Sequence, residues 1–133
     1  MTPIVYFAAY RKGGDHPKRG ETITYNTVIS NKGNGLSSES GIFKSPIPGF
    51  YFFTFAGETA MEKKVNRIDV YYNSVRSIDI GETNDNATYG TLSASWQFKL
   101  VKHDTVKIKV RSGMLYANVF SPFFTEYLIE ETT

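Results

Sequence analysis

Apolar and polar residues alternate with a period of two along most of the chain, as they do in β-strands that bury one face. The clearest run is 91–100, where even-numbered positions are apolar and odd-numbered positions are polar. Positions 106–111 alternate in the same way, with lysine or arginine at every polar position. No segment carries an apolar stripe at helical spacing over three turns, so the pattern predicts an all-β protein.

The predicted strands are short and are separated by turn-forming residues such as Gly, Pro, Asn and Asp. They cover Ile4–Tyr10, Thr22–Asn31, Ile42–Lys44, Gly49–Ala56, 67–72, Val75–Ile80, 91–100, 106–111, Met114–Asn118 and Thr125–Glu131. Short strands at this spacing favour an antiparallel sandwich or barrel.

The strand Gly49–Ala56 departs from simple alternation because it is aromatic on both faces. Tyr51, Phe53 and Phe55 share one face, and Phe50 and Phe52 share the other. Such a strand needs a cover on each side. The opposing sheet supplies one cover, and a neighbouring copy of the chain is a candidate for the other.

Composition narrows the class of protein. The 133 residues fit a single domain, 1–133, and the hydrophobic share of 41% is that of a folded globular chain. A formal net charge of +2 argues against nucleic acid as a partner. The lack of cysteine excludes disulfides and thiolate metal sites. No apolar run reaches the length of a membrane span.

Eight positions between Tyr25 and Phe55 resemble the signature of the C1q globular-head family, with every interval kept. They are Tyr25, Asn31, Leu36, Phe43, Gly49, Tyr51, Phe53 and Phe55. The flanking segments are also similar to the family, from the first strand at Phe7 to the closing strand at Phe124. His103 and Glu126 depart from it, since each stands where the family usually has glycine.

The resemblance implies a ten-strand antiparallel jelly-roll sandwich, related in architecture to tumour necrosis factor, that assembles as a homotrimer. It also implies a non-enzymatic, secreted recognition head for innate immunity, which binds microbial surface glycans or lipopolysaccharide. The alternative is a cytokine-like or adhesive ligand for a protein receptor. The start of the chain has no signal-peptide layout, so either the protein is not secreted by the usual route or its signal peptide lies outside this chain.

Three aromatic residues are predicted to lie in the trimer interface, because the first and late strands meet near the axis in this family. They are Phe7, Tyr116 and Phe120. Burial in the core of the single chain is an equally good interpretation of each.

Two groups of residues are candidates for ligand binding. Lys107, Lys109 and Arg111 line the polar face of one strand, and Lys99 is a candidate on the neighbouring strand. This stripe suits anionic sugars or lipopolysaccharide phosphates. A solvated face that blocks edge-to-edge sheet pairing is the simpler interpretation of this stripe.

The second group lies in the segment 80–89, where Asn84 and Asp85 suit sugar hydroxyls and Tyr89 suits stacking on a pyranose ring. A turn that merely connects two strands is the alternative. Asn86 also begins a glycosylation acceptor sequence.

Catalytic and metal chemistry find little support. His16 and His103 follow or precede an aspartate in predicted loops, which is typical of a solvated turn. No nucleophile elbow or phosphate loop is present. We expect no cofactor and no catalytic residues. Calcium stays open, with the segment that carries Asp79, Glu82 and Asp85 as a source of oxygen ligands.

Overall fold

The computed structural model describes residues 4–59, 65–83 and 89–133, and these form two antiparallel sheets packed face to face. The strands are β1 (Tyr6–Tyr10), β2 (Thr27–Lys32), β3 (Leu36–Ser37), β4 (Ile42–Lys44), β5 (Gly49–Thr59), β6 (Val65–Tyr72), β7 (Val75–Thr83), β8 (Gly90–Leu100), β9 (Thr105–Ser112), β10 (Leu115–Tyr116) and β11 (Phe123–Glu131). The all-β jelly-roll prediction is confirmed. The described residues hold eleven strands rather than ten, and the two-residue β3 is the addition.

The first sheet runs in the order β10-β5-β11-β1-β2, with β8 also pairing with β5. The second sheet runs β3-β4-β9-β6-β7. In this arrangement the centre of the first sheet is β5, which pairs with β8 along its whole length and with β11 along Gly49–Ala56. The aromatic strand therefore lies in the middle of a sheet. One of its faces contributes to the core, and the other forms part of the outward surface of the sheet.

The core between the sheets is aromatic and centres on Phe53. Its ring lies parallel to that of Trp96, with centroids 5.6 Å apart, and 5.7 Å from the ring of Phe43. Phe124 lies 6.1 Å from it. Tyr51, Phe53 and Phe55 are all buried, as the alternation predicts.

The predicted strand Thr22–Asn31 is wrong in its first half, because the chain changes sheets at Asn26. Ile23 N–H donates to the carbonyl of Ile108 in the second sheet, whereas Thr27 pairs with Tyr10 in the first. The Asn26 side chain fixes the crossing through hydrogen bonds with the backbone N–H and C=O of Lys12. The predicted strand Met114–Asn118 likewise shortens to Leu115–Tyr116.

Two signature residues without aromatic rings have distinct roles. The Asn31 amide accepts a hydrogen bond from Leu36 N–H and donates one to its carbonyl, so it closes the turn between β2 and β3. Gly49 allows close approach of two strands: a Cβ there would lie 2.5 Å from the Glu130 carbonyl oxygen. Close approach to β11 therefore explains this glycine.

Asp104 ties two turns together at one end of the sandwich. Its carboxylate accepts hydrogen bonds from the Tyr72 hydroxyl at 2.7 Å, from Val101 N–H at 2.9 Å and from the Asn73 amide at 3.1 Å. Burial alone raises the pKa of Asp104, but these hydrogen bonds outweigh it and hold the pKa below its usual value. The turn preceding β9 is therefore fixed from three directions.

Candidate ligand face and assembly face

The outward surface of the second sheet is rich in cations, and we call it the basic face. It consists of Arg67, Asp69, Tyr71, Arg76, Asp79, Lys107, Lys109 and Arg111. Strand β9 buries Val106, Ile108 and Val110 in the core, so the three intervening cations point outward. The structure thus brings Lys107, Lys109 and Arg111 onto one surface and places strand β6 beside them.

Tyr71 lies at the centre of the basic face, opposite Lys107 in the register of β6 and β9. The Nζ atoms of Lys107 and Lys109 lie 5.5 Å and 5.4 Å from the centroid of its ring. Both distances are within the range of cation–π attraction. One tyrosine ring therefore lies within cation–π range of two ammonium groups.

Asp69 lies on the same face and yet is only 4% exposed, because neighbouring cations cover it. Its Oδ2 lies 3.5 Å from Arg111 Nη1 and 3.9 Å from Arg76 Nη1. Burial raises the pKa of Asp69, and the Asp79 carboxylate raises it further, while Arg76, Arg67 and Lys109 oppose the shift. The two arginines thus serve partly to neutralise a buried carboxylate.

The charge of the basic face is large for this protein. Its five cations face two carboxylates, which leaves a net charge of +3 on a chain whose formal total is +2. One of those carboxylates, Asp79, is held by Arg67 at 3.0 Å. The rest of the molecule is therefore close to neutral, and an anion would be drawn to this surface.

Lys99 is not part of this stripe, although the alternation of its strand made it a candidate for the strand next to Lys107 and Lys109. It lies on β8 in the first sheet, with its Nζ 5.8 Å from the centroid of the Phe50 ring. Alternation gives the face of a strand but not the sheet to which the strand belongs.

The second group of predicted ligand residues can be followed only in part. Asn84, Asp85 and the acceptor sequence at Asn86 lie outside the described residues. Tyr89 is 52% exposed, and its ring lies 5.0 Å from that of Tyr116. The structure thus joins a predicted ligand residue to a predicted interface residue.

Tyr116 also stacks on His16, with centroids 4.6 Å apart. The Nδ1 atom of His16 accepts a hydrogen bond from Ala117 N–H at 2.9 Å. This bond assigns His16 to a structural role in holding the chain near β10.

The middle of the outward surface of the first sheet is formed by aromatic rings and small or uncharged side chains, and we call it the apolar face. It consists of Tyr6, Ala8, Tyr10, Phe50, Phe52, Thr54, Ala56, Ser93, Ser95, Gln97, Phe120, Phe123, Thr125 and Tyr127. Its borders are charged, since Glu58, Lys99 and Glu130 lie on the same outward side. Small residues in its middle form a shallow trough of about 570 Å³, and Phe120 lines a second one of about 420 Å³ beside it. Large rings border the troughs, with Phe52 and Tyr127 5.4 Å apart.

The three predicted interface aromatics separate into different environments. Phe120 is 69% exposed and packs its ring 5.5 Å from that of Tyr10 on the apolar face. Phe7 is only 2% exposed and lies in the core against Phe124. Phe7 therefore offers no surface to a neighbour, and the core alternative accounts for it: its side chain points inward from β1.

Metal ligands do not cluster in the described ranges, where no group of three or more His, Asp or Glu side chains could hold an ion. Of the proposed calcium ligands, Asp79 is held by Arg67, Glu82 lies 3.4 Å from the Asn66 amide, and Asp85 is not described. No helix in the described part of the chain is long and apolar enough to cross a membrane.

Two residues of the basic face were not predicted from the sequence as part of a ligand-binding surface. Tyr71 reads as one more aromatic in an alternating strand, and Arg76 follows a turn with no motif around it. The register between β6 and β9 brings Tyr71 beside the lysines, and no local pattern encodes that register.

The two packed antiparallel sheets define a jelly-roll protein of the kind that presents binding surfaces. Residues 5–129 match the family model described as C1q domain. The chain belongs to the C1q domain family, whose members typically assemble as trimers.

Curated relatives include subunits A and B of the complement C1q subcomponent. The chain is 23% identical to one from rat over 129 residues, covering 91% of this chain and 52% of the relative. It is 26% identical to another from cattle over 105 residues, covering 79% of this chain and 42% of the relative. The chain thus spans about half the length of these relatives.

Solved structures agree on the fold. The globular domain of zebrafish complement 1qA superposes with a TM-score of 0.81 at 19% identity, covering 96% of this chain and 99% of that one. Eiger TNF from S. frugiperda gives 0.79 at 7% identity, covering 98% and 96%. Murine APRIL gives 0.73 at 11% identity, covering 95% and 99%.

Proposed function

We propose that this chain forms a secreted, non-enzymatic homotrimer that binds microbial surface glycans or lipopolysaccharide in innate immunity. The observation that carries the proposal is the contrast between the two outward surfaces of the sandwich. One is apolar and suits contact with further copies of the chain, and the other is basic and suits anionic ligands.

Support for the trimer comes from exposed apolar residues on or beside the first sheet. Phe120 is 69% exposed, Ile4 64%, Tyr127 51% and Ile129 47%. Monomeric proteins rarely expose contiguous apolar patches of more than a few hundred Å². A closed symmetric assembly removes such a patch from water without leaving a free copy of it. Trimers are also typical of the family.

Support for the ligand comes from the charge of the other surface. If the first sheets meet around a threefold axis, three basic faces point away from that axis. Microbial glycans and lipopolysaccharide present repeated anionic groups, so several faces can bind one surface together. Such multivalency strengthens a weak site by a factor of roughly 10²–10⁴.

The test is binding of the purified protein to an array of glycans, lipopolysaccharides and peptidoglycans. The proposal expects selective signals that free sugar competes away and that weaken as the salt concentration rises. A blank array from folded trimer would overturn it in favour of the alternative, a cytokine-like or adhesive ligand for a protein receptor. A partner pull-down with the same trimer would then identify that receptor.

A further inference from the structure

We propose that Lys107, Lys109 and Tyr71 form a binding site for a tetrahedral oxyanion, namely the phosphate or sulfate ester of a sugar. This inference rests on the proposed function and assigns its ligand chemistry to particular atoms. The site lies in the middle of the basic face, where strands β6 and β9 are neighbours.

The first argument is that the arginines and the lysines of the basic face have different partners. In the described part of the chain, the ion pairs of the basic face join Arg67 to Asp79, and Arg76 and Arg111 to Asp69. Lys107 and Lys109 instead lie over the Tyr71 ring. Each arginine already lies within ion-pair distance of a carboxylate, whereas Lys109 acts on Asp69 only at longer range, so the two lysines are the cations that an external anion can recruit most readily.

The second argument is the closeness of the two lysines. Because the Nζ atoms lie 5.5 Å and 5.4 Å from one ring centroid, they are at most about 11 Å apart, and their positive charges repel each other. Attraction to the ring offsets part of this repulsion. An oxyanion that both flexible side chains reach turns the repulsion into two charge-assisted hydrogen bonds. A tetrahedral ester has enough oxygens to accept from both lysines at once.

The third argument is the rigidity of the site. Lys107 and Lys109 alternate with Val106, Ile108 and Val110, which are at most 2% exposed. Tyr71 and Lys107 are held opposite each other by the pairing of β6 with β9. Less conformational entropy is lost on binding when the backbone that carries the ligand contacts is already ordered.

The experiment is calorimetric titration of the protein with glucose 6-phosphate, glucose 6-sulfate and glucose. We expect both esters to bind and glucose to bind at least tenfold more weakly. Phosphate binding should tighten between pH 5 and 7.5 as its second proton is lost, and sulfate binding should stay constant, which distinguishes the two esters. Equal affinity for glucose and the esters, or no binding of either ester at millimolar concentration, would overturn the proposal.

Variants locate the site. The double variant Lys107→Gln/Lys109→Gln should bind the esters at least tenfold more weakly, and Lys107→Arg/Lys109→Arg should retain most of the affinity. Lys12→Gln/Lys102→Gln removes the same charge from exposed positions elsewhere and should bind as the parent does. Equal losses in both Gln double variants would show a general charge effect and overturn the site. Thermal melting checks that each variant is folded.

The outcomes separate this site from the proposed function. If ester binding depends on the two lysines but the microbial array is blank, the oxyanion site is supported and the proposed function is overturned. If array signals persist in Lys107→Gln/Lys109→Gln, the proposed function is supported and the oxyanion site is overturned.

Discussion

The two outward surfaces of this sandwich come from strands with the same alternation, and they differ in what occupies the outward positions. On β9 every outward position from Lys107 to Arg111 is a cation. On β5 the corresponding positions are Phe50, Phe52, Thr54 and Ala56. Both strands bury their other face in one core.

This difference shows which positions of an all-β chain determine the binding properties of its surfaces. Inward positions fix the fold, so they resemble one another in the two sheets. Outward positions are free of that constraint and carry the interaction of each face. A face of rings and small side chains suits contact with another copy of the chain, and a face of cations suits an anionic ligand.

The largest expected effect at neutral pH is on the free energy of unfolding, and it distinguishes Phe53 from its neighbour Phe52 on β5. Phe53→Ala should lower the free energy of unfolding by roughly 3–5 kcal/mol, because the fully buried ring leaves a cavity among Phe43, Trp96 and Phe124. Urea denaturation measures this loss. The matched variant Phe52→Ala should cost the single chain far less and should weaken the trimer instead. Similar unfolding losses in both variants would contradict the assignment of the two faces.

The next effect concerns Glu126, which points into the core between Phe7 and Phe53. It is 2% exposed, and neither carboxylate oxygen has a hydrogen-bond partner in the described residues. Burial raises the pKa of Glu126 to about 8. Between pH 4.5 and 8 the folded chain keeps this proton while the unfolded chain loses it, so stability falls as the pH rises through this window.

Glu126→Gln should remove this dependence. At pH 9 we expect the variant to be more stable than the parent by roughly 5 kcal/mol, and at pH 4 the two should be close. Urea denaturation at pH 4, 7 and 9 provides the comparison. A difference between the two proteins that does not change with pH would mean that Glu126 is not buried as a neutral acid.

A charge in the middle of the apolar face should dissociate the trimer. Ser95 lies opposite Thr54 and is exposed in the single chain, so Ser95→Glu leaves the core intact. Three buried, unpaired carboxylates should weaken assembly by at least about a hundredfold, or about 2.7 kcal/mol. Light scattering coupled to gel filtration measures the mass. Ser77→Glu on the second sheet is the control and should stay trimeric; dissociation of both variants would point to a general effect of charge.

The smallest effect tests the turn that joins the two sheets. His103 has a backbone φ of 74°, a left-handed conformation that favours glycine. His103→Gly should therefore raise the free energy of unfolding by about 1 kcal/mol, whereas His103→Ala keeps the strain and should not. Thermal melting of both variants measures the difference. An equal gain in both would assign the effect to loss of the imidazole.

The sequence predicts the strands and their buried faces well, because alternation is a local property. The signature from Tyr25 to Phe55 likewise identifies the family, since its aromatic members fill the core. The glycine usually found at position 103 is explained by the positive φ there.

The candidate site is harder to predict from the sequence than the strands are, because it depends on which strands are neighbours in the sheet. Lys107 and Lys109 stand out by spacing alone, but Tyr71 joins them only through the register of β6 with β9. The same limit explains Lys99, whose strand belongs to the other sheet, and Phe7, whose side chain points inward. Pairing between distant segments is set by the whole core rather than by local residues.

The most direct test of the two-face account is hydroxyl-radical footprinting of the parent protein beside Ser95→Glu, read residue by residue by mass spectrometry. Tyr127 on the apolar face is 51% exposed in the single chain. The account predicts that Tyr127 is labelled several-fold more slowly in the parent than in the variant, while Tyr71 on the basic face is labelled equally in both. Protection of Tyr71 in the parent, with Tyr127 unchanged, would contradict it.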